Sequence, residues 1–180
     1  MVKIKISIVN VVMTASIGQE VDFCELRKYK EIFHDSDVYG GRVAYFKKPG
    51  MEGKVSIFLS GKMISAGTKS EAQAFKELRL AMIFLVERNL AKTVELQPKT
   101  QNLVVLADFE ASLNLEKFSE NLNAIYEPEQ FPGAILRITK PFKTSILVFA
   151  SGKVVITGLK SSGQIKPTIQ LLKQLIESNQ

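Results

Sequence analysis

The chain predicts an α+β fold in which one β-α-β-β-β-α unit occurs twice, giving a pseudo-twofold antiparallel sheet with its helices on one side. Three observations lead there. The segment Phe58-Leu59-Ser60-Gly61-Lys62-Met63-Ile64-Ser65-Ala66-Gly67-Thr68-Lys69-Ser70 returns as Phe149-Ala150-Ser151-Gly152-Lys153-Val154-Val155-Ile156-Thr157-Gly158-Leu159-Lys160-Ser161, displaced by half the chain. Short apolar runs of strand length precede each copy, and a long amphipathic stretch follows each. The 180 residues therefore divide into repeats at 1–91 and 92–180, with no Gly- or Ser-rich linker between them, and neither half need be stable alone.

Residues 3 to 15 alternate as a strand does, with Ile4, Ile6 and Ile8 on one face and Lys5 and Ser7 on the other, and the second copy opens with a strand through 93 to 110. Short helices are expected at 22–33 and 115–124, introduced by Asp22 and Asn114, whose side chains can accept from first-turn amides. Three strands follow in each half, at 42–48, 54–60 and 62–67, then at 134–140, 144–150 and 153–158. Pro49-Gly50 and Lys140-Pro141 mark one connection. Ser60-Gly61-Lys62 and Ser151-Gly152-Lys153 mark hairpins in which glycine tolerates a positive φ. The closing helices carry Phe75, Leu78, Met82 and Leu85 on one stripe and Ile165, Ile169, Leu172 and Ile176 on the other, and those stripes must lie on the sheet. The last strands of the two copies are expected to meet in one continuous sheet.

Composition narrows the function. With 46% hydrophobic residues and a mean hydropathy of +0.07 there is material for a core, yet no apolar run reaches membrane length, so a soluble chain is expected. No secretory signal opens it, and the single cysteine, Cys24, excludes an intramolecular disulfide and suits a reducing compartment. Cys24 reads as a small helix residue. A net charge of +6 and a pI near 9.4 favour a polyanionic partner without naming one. Position adds to this, because Lys62, Lys69, Lys153 and Lys160 recur at matching places in both copies. The duplicated residues are apolar, amide and cationic. No acid, histidine or nucleophile forms a repeated catalytic set, so neither an enzyme nor a cofactor is expected. His34, the only histidine, has no Cys or acid cluster of ligand spacing around it and reads as a surface residue, not a metal ligand.

Alternate strand residues point to opposite faces, so Ile146 and Val148 oppose Leu147 and Phe149, and both faces are apolar. One helix layer buries only one of them. The other must be a second core, an oligomer interface through which free copies pair weakly, or an apolar ligand surface. The chain holds no further helices for a second layer. An apolar face edged by lysines suits a target apolar within and anionic at its rim, and the DNA minor groove is such a target.

Several motifs then resemble one family. Val9-Asn10-Val11-Val12 and Gln101-Asn102-Leu103-Val104 in the opening strands, the two Ser-Gly-Lys hairpins with their downstream Gly-x-Lys, and Tyr126-Glu127-Pro128-Glu129-Gln130-Phe131-Pro132-Gly133 are similar to the TATA-binding protein family, in its short archaeal type, along nearly the whole chain. The resemblance implies a saddle of one curved antiparallel sheet, helices on its convex side, whose concave face lies along the minor groove of an AT-rich promoter element and bends it. It implies a general transcription initiation factor acting with transcription factor B and the RNA polymerase initiation machinery, away from membranes. The absence of a long N-terminal extension suggests an archaeal chain working in the cytoplasm on the nucleoid; a eukaryotic one would work in the nucleus.

Residue roles follow from the same resemblance. Asn10 and Asn102 match the asparagine pair that can donate to A N3 and T O2. Phe131 and Phe149 match the wedge pair of one stirrup and Phe58 one wedge of the other. Such insertion is the habit of minor-groove architectural proteins, TATA-binding proteins among them, and costs a few kcal/mol per unstacked step. Val12, Ile64, Val104, Leu147, Val155 and Thr157 match the apolar floor, which excludes G·C because its exocyclic amine would be buried unpaired. Arg137, Lys69 and Lys160, with Lys62 and Lys153, match phosphate-facing positions, the alternative for each being a solvated charge. Glu127 and Glu129 match the acidic stirrup that meets transcription factor B.

The first copy departs from this pattern. Tyr39-Gly40-Gly41 stands for Phe131-Pro132-Gly133, so Tyr39 is a candidate wedge with a hydroxyl to satisfy. Ser56 stands for a leucine-type floor residue, Ala66 for Thr157, and Tyr45 for Arg137. An asymmetric grip is expected. The alternative is a divergent paralogue, acting mainly as a protein-interaction module with weakened bending.

Overall fold

The computed structural model describes residues 4–178, so residue 3, where the first strand was expected to begin, lies outside it. The described chain forms two compact units, one of Asn10–Gln101 and the other of the chain up to Val9 together with Asn102 onward.

In the Asn10–Gln101 unit the elements are β1 (Lys5–Ser16, from Asn10 on), α1 (Phe23–Leu26), β2 (Ile32–His34), β3 (Val43–Phe46), β4 (Lys54–Phe58), β5 (Lys62–Thr68) and α2 (Glu71–Glu87). Its strands are antiparallel in the order β2-β3-β4-β5-β1. The other unit holds β6 (Lys99–Asp108), α3 (Leu115–Leu122), β7 (Gly133–Ile138), β8 (Thr144–Phe149), β9 (Lys153–Leu159) and α4 (Ile165–Glu177), with the antiparallel order β6-β9-β8-β7. The expectation that the last strands meet is corrected by these orders. β5 lies between β4 and β1, and β9 between β8 and β6, so both hydrogen-bonding edges of each are already used.

The helix expected over 22–33 shrinks to four residues. Asp22 does cap it, its Oδ1 accepting from the amides of Cys24 and Glu25 at 2.8 and 3.3 Å. Beyond Leu26 the amides of Lys28 and Tyr29 turn back to Glu25 and Leu26, and Ile32-Phe33-His34 then adds to the sheet as β2, a strand too short for periodicity to show. Its counterpart in the other unit is a single bridge, Ile125 to Ile135. His34 is half-buried, not a surface residue: its Nε2 lies 2.9 Å from the Gly41 carbonyl and its ring meets Phe23 edge-on.

The long helices keep their stripes. Leu78, Met82 and Leu85 are buried with Ala74, Ala81 and Phe84, while Phe75 stays half-exposed. In α4, Ile169, Leu172 and Ile176 are buried. Beneath them the sheet contributes Val55, Ile57 and Met63 in one unit and Ile146, Val148, Val154 and Ile156 in the other, all fully buried. One charged residue joins this core. Glu77 on α2 is fully buried, and its Oε1 accepts from the amides of Glu52 and Gly53 at 2.8 and 3.1 Å and from Gln73 Nε2 at 3.2 Å. Lys47 donates to the carbonyls of Met51, Glu52 and Gly53, so a carboxylate holds the amides and an ammonium the carbonyls of one turn.

Candidate nucleic-acid interface

Burial alternates along β8 and along β9 as far as Thr157: Ile146, Val148, Val154 and Ile156 are closed, and Leu147, Phe149, Val155 and Thr157 are half-open. The second group therefore belongs to the face the helices leave uncovered, as the strand period requires. Register aligns Ile135, Leu147, Val155 and Leu106 in one apolar row across β7, β8, β9 and β6, extended by Ile125 through its bridge. Leu106 and Ile135 were missed from the sequence, although the parity that selected Leu147 also selects them.

At the end of this face Phe131 and Phe149 pack edge to face, centroids 5.8 Å apart. Two features seat them. The Glu127 carbonyl accepts from the amides of Gln130 and Phe131 at 2.9 Å, turning Phe131 back toward β8. Gly133, opposite Phe149, leaves the space: a Cβ there would stand 2.8 Å from Phe131 Cε1 and 3.1 Å from Phe149 Cε1. Glu127 and Glu129 are exposed in the same turn.

Asn102 lies just before a register shift in β6, and its Oδ1 accepts from the Gly158 amide at 2.8 Å. That bond orients the side chain with its amide nitrogen as the remaining donor. Val104 lies within the shift, half-buried. One step along the sheet Arg137, Ser145 and Thr157 form a second row, and with Lys143 and Lys160 they line a cleft of about 580 Å³. Lys153 begins β9 on the open face directly opposite Asp108.

The Asn10–Gln101 unit repeats the scheme with other residues. Asn10 Oδ1 accepts from the Gly67 amide at 2.9 Å, and Val12 lies at the matching shift, paired with Ala66. The open row reads Phe33, Tyr45, Ser56, Ile64 and Thr14. Phe33 and Tyr45 stack with centroids 6.3 Å apart, and Lys54 Nζ lies 4.3 Å from the Tyr45 centroid, within cation–π range. Phe33, 63% exposed, and Ile125, 48% exposed, hold equivalent positions at the outer edge of each row.

Register corrects two correspondences drawn from sequence. Tyr45 lies opposite Ser56 as Ile135 lies opposite Leu147, so Tyr45 replaces Ile135 and not Arg137. Between equivalent pairs the β3–β4 hairpin is one residue shorter than the β7–β8 hairpin, Tyr45 to Ser56 against Ile135 to Leu147, and its proline stands two places nearer the strand, which is why counting from the prolines misleads. The position equivalent to Arg137 is Lys47, whose ammonium is held by the 51–53 turn, and the exposed cation on that row is Lys54. Tyr39 is the second correction. It is 73% exposed in a left-handed turn (φ 50°), and counting from the Val43–Phe58 pair puts Gly41, not Tyr39, where Phe131 stands. Among the described residues no ring packs on Phe58; Arg42, Glu20 and Leu59 line the cleft beside it.

Lys62 and Lys69 are exposed at the two ends of β5, as Lys153 and Lys160 are at those of β9. Lys5 and Lys28 each hold a carboxylate, Glu110 at 2.6 Å and Glu25 at 2.5 Å, and these hydrogen bonds raise both ammonium pKa values above the ordinary lysine value. Among the described residues no three His, Cys, Asp or Glu side chains gather as a metal site, and no helix is long and apolar enough to cross a membrane.

The family model described as "Transcription factor TFIID (or TATA-binding protein, TBP)" matches residues 5–87 and 97–178. The chain belongs to the TATA-binding protein family. A TATA-box-binding protein of Cenarchaeum symbiosum is 38% identical over 160 residues, covering 88% of this chain and 87% of that protein. Another, from Archaeoglobus fulgidus, is 33% identical over 174 residues, covering 94% and 93%. The solved structure of Methanococcus jannaschii TBP matches with a TM-score of 0.87 at 31% identity, over 97% of this chain and 99% of its own. The α+β fold is thus that of the TATA-binding protein family, whose members are transcription factors and not enzymes.

Proposed function

We propose that this chain is a general transcription initiation factor that binds the minor groove of an AT-rich promoter element, bends it and recruits transcription factor B. The observation that carries the reading is the uncovered row Ile135–Leu147–Val155–Leu106, bounded by a seated pair of phenylalanines and an asparagine with a free donor. An apolar row that admits no hydrogen-bonding partner accepts A·T edges and penalises the guanine amine. The Asn102 and Asn10 amides donate to A N3 or T O2. Phe131 and Phe149 enter a base step, and the cost of unstacking is returned by contact along the bent duplex. Arg137, Lys143, Lys153 and Lys160 on one repeat and Lys54, Lys62 and Lys69 on the other meet phosphates, Lys153 from its place opposite Asp108. Each repeat, 1–91 and 92–180, supplies its own share of the grip.

Glu127 and Glu129 oppose phosphate, so their use is a protein partner, and transcription factor B with the polymerase machinery is the one this family suggests. The similarity to archaeal proteins supports action on the nucleoid. The test is a mobility shift on AT-rich and GC-rich duplexes of equal length, with energy transfer across a doubly labelled TATA duplex. Selective binding and a strong bend are expected. Equal binding to both duplexes would refute the reading, and recruitment of transcription factor B on straight DNA would make the chain an interaction module.

A further inference from the structure

The open row of the Asn10–Gln101 unit is interrupted at its centre. Ser56 occupies the place that Leu147 holds in the other unit, between Tyr45 on β3 and Ile64 on β5. On β5 the residue equivalent to Thr157 is Ala66, so two neighbouring floor positions have lost volume together. The row contains two aliphatic hydroxyls, and they differ. Thr14 is already engaged, its Oγ1 reaching the Lys99 carbonyl at 3.4 Å and accepting from Gln101 Nε2 at 2.9 Å. Ser56 is half-buried, and among the described residues its hydroxyl has no hydrogen-bond partner.

A minor-groove surface meets only acceptors at A·T pairs, whereas G·C adds one donor, the guanine N2 amine. Against a leucine that amine loses its water and gains nothing, which is how an apolar floor rejects it. A serine reverses both terms: the shorter side chain, with Ala66 beside it, leaves room, and its Oγ accepts. We propose that Ser56 makes the first repeat tolerant of a G·C pair, accepting from the guanine N2 amine while the second repeat keeps a strict A·T requirement through Leu147 and Val155. The preferred element is then unequal in its two halves, with G·C allowed under one repeat and excluded under the other. This inference rests on the minor-groove reading above.

The test measures equilibrium binding by fluorescence anisotropy to a parent AT-rich duplex and a set with one A·T pair replaced, position by position, by G·C or by inosine·C, which lacks the N2 amine. In one half of the element the G·C penalty should be about tenfold or more, and in the other within about threefold. Inosine should cost little throughout. Ser56→Leu should raise the tolerant half to the penalty of the strict one, and Ser56→Ala should raise the G·C penalty there while leaving the inosine penalty unaffected, each penalty being taken relative to the same variant's binding of the parent duplex. Equal penalties in the two halves, or a profile unmoved by either substitution, would overturn the role of Ser56 and leave the minor-groove reading standing. Equal binding to the parent and an all-G·C duplex would overturn that reading itself, and this inference with it.

Discussion

Gly133 shows how much a single absent atom arranges. Its missing Cβ is what lets Phe131 and Phe149 close on each other, so Gly133→Ala should push the rings apart. The expected result is a smaller bend in energy transfer and about tenfold weaker binding to TATA DNA, and an unchanged bend would show that the pair is not the wedge. Phe149→Ala should likewise cost more affinity and bend than Tyr39→Ala, because Tyr39 stands outside the register of the wedge; equal losses would refute the asymmetry. Asn102 offers a cleaner separation. In Asn102→Asp the carboxylate can still accept from the Gly158 amide, so thermal stability should hold, but no donor remains for the groove and binding should fall by about tenfold or more. Asn10 and Asn102, Val12 and Val104, and Phe58 and Phe149 stood out in the sequence because their types recur in both copies, whereas Phe131, Leu147 and Thr157 have no like residue in the first copy and were named from the resemblance alone. Gly133 and Leu106 were passed over because a glycine and a leucine carry no chemistry that marks them as functional.

Among the elements, those with a long period were readable: α2, α4 and the hairpin strands have apolar spacings that admit one assignment. β2 was hidden because three residues cannot establish a period, and with it the Phe33–Tyr45 stack. The Arg137 equivalence failed for a related reason, since a hairpin of changed length shifts the count while the ladder of hydrogen bonds does not. The β3–β4 hairpin is held by buried Glu77 and by Lys47. Replacing Glu77 with leucine removes the acceptor of two amides, and urea denaturation should show a loss of about 2–3 kcal/mol. No change would mean that the turn finds other partners. Thr168, buried and bonded to the Gln164 carbonyl within its own helix, takes the corresponding place in α4 and holds no turn, so the two hairpins differ in how they are anchored.

At the scale of the molecule the excess of positive charge is arranged, not scattered, since the cations recur at the strand ends of both copies. Replacing Lys160 with alanine should reduce the slope of log K against log salt by about one, and an unchanged slope would place its ammonium away from phosphate. The duplication that makes this chain readable also gives it two unlike ends. On a perfectly palindromic element the two placements of any protein are related by the dyad of the DNA and are equally populated, so a heading for transcription requires unlike ends in the protein together with unlike halves in the element. The phenylalanine pair seated over Gly133, with no counterpart at Phe58 among the described residues, supplies the protein's share of that condition. On an element with unequal halves, a difference of only about 1.4 kcal/mol between the two placements would give a tenfold preference for one of them, and so a direction of reading.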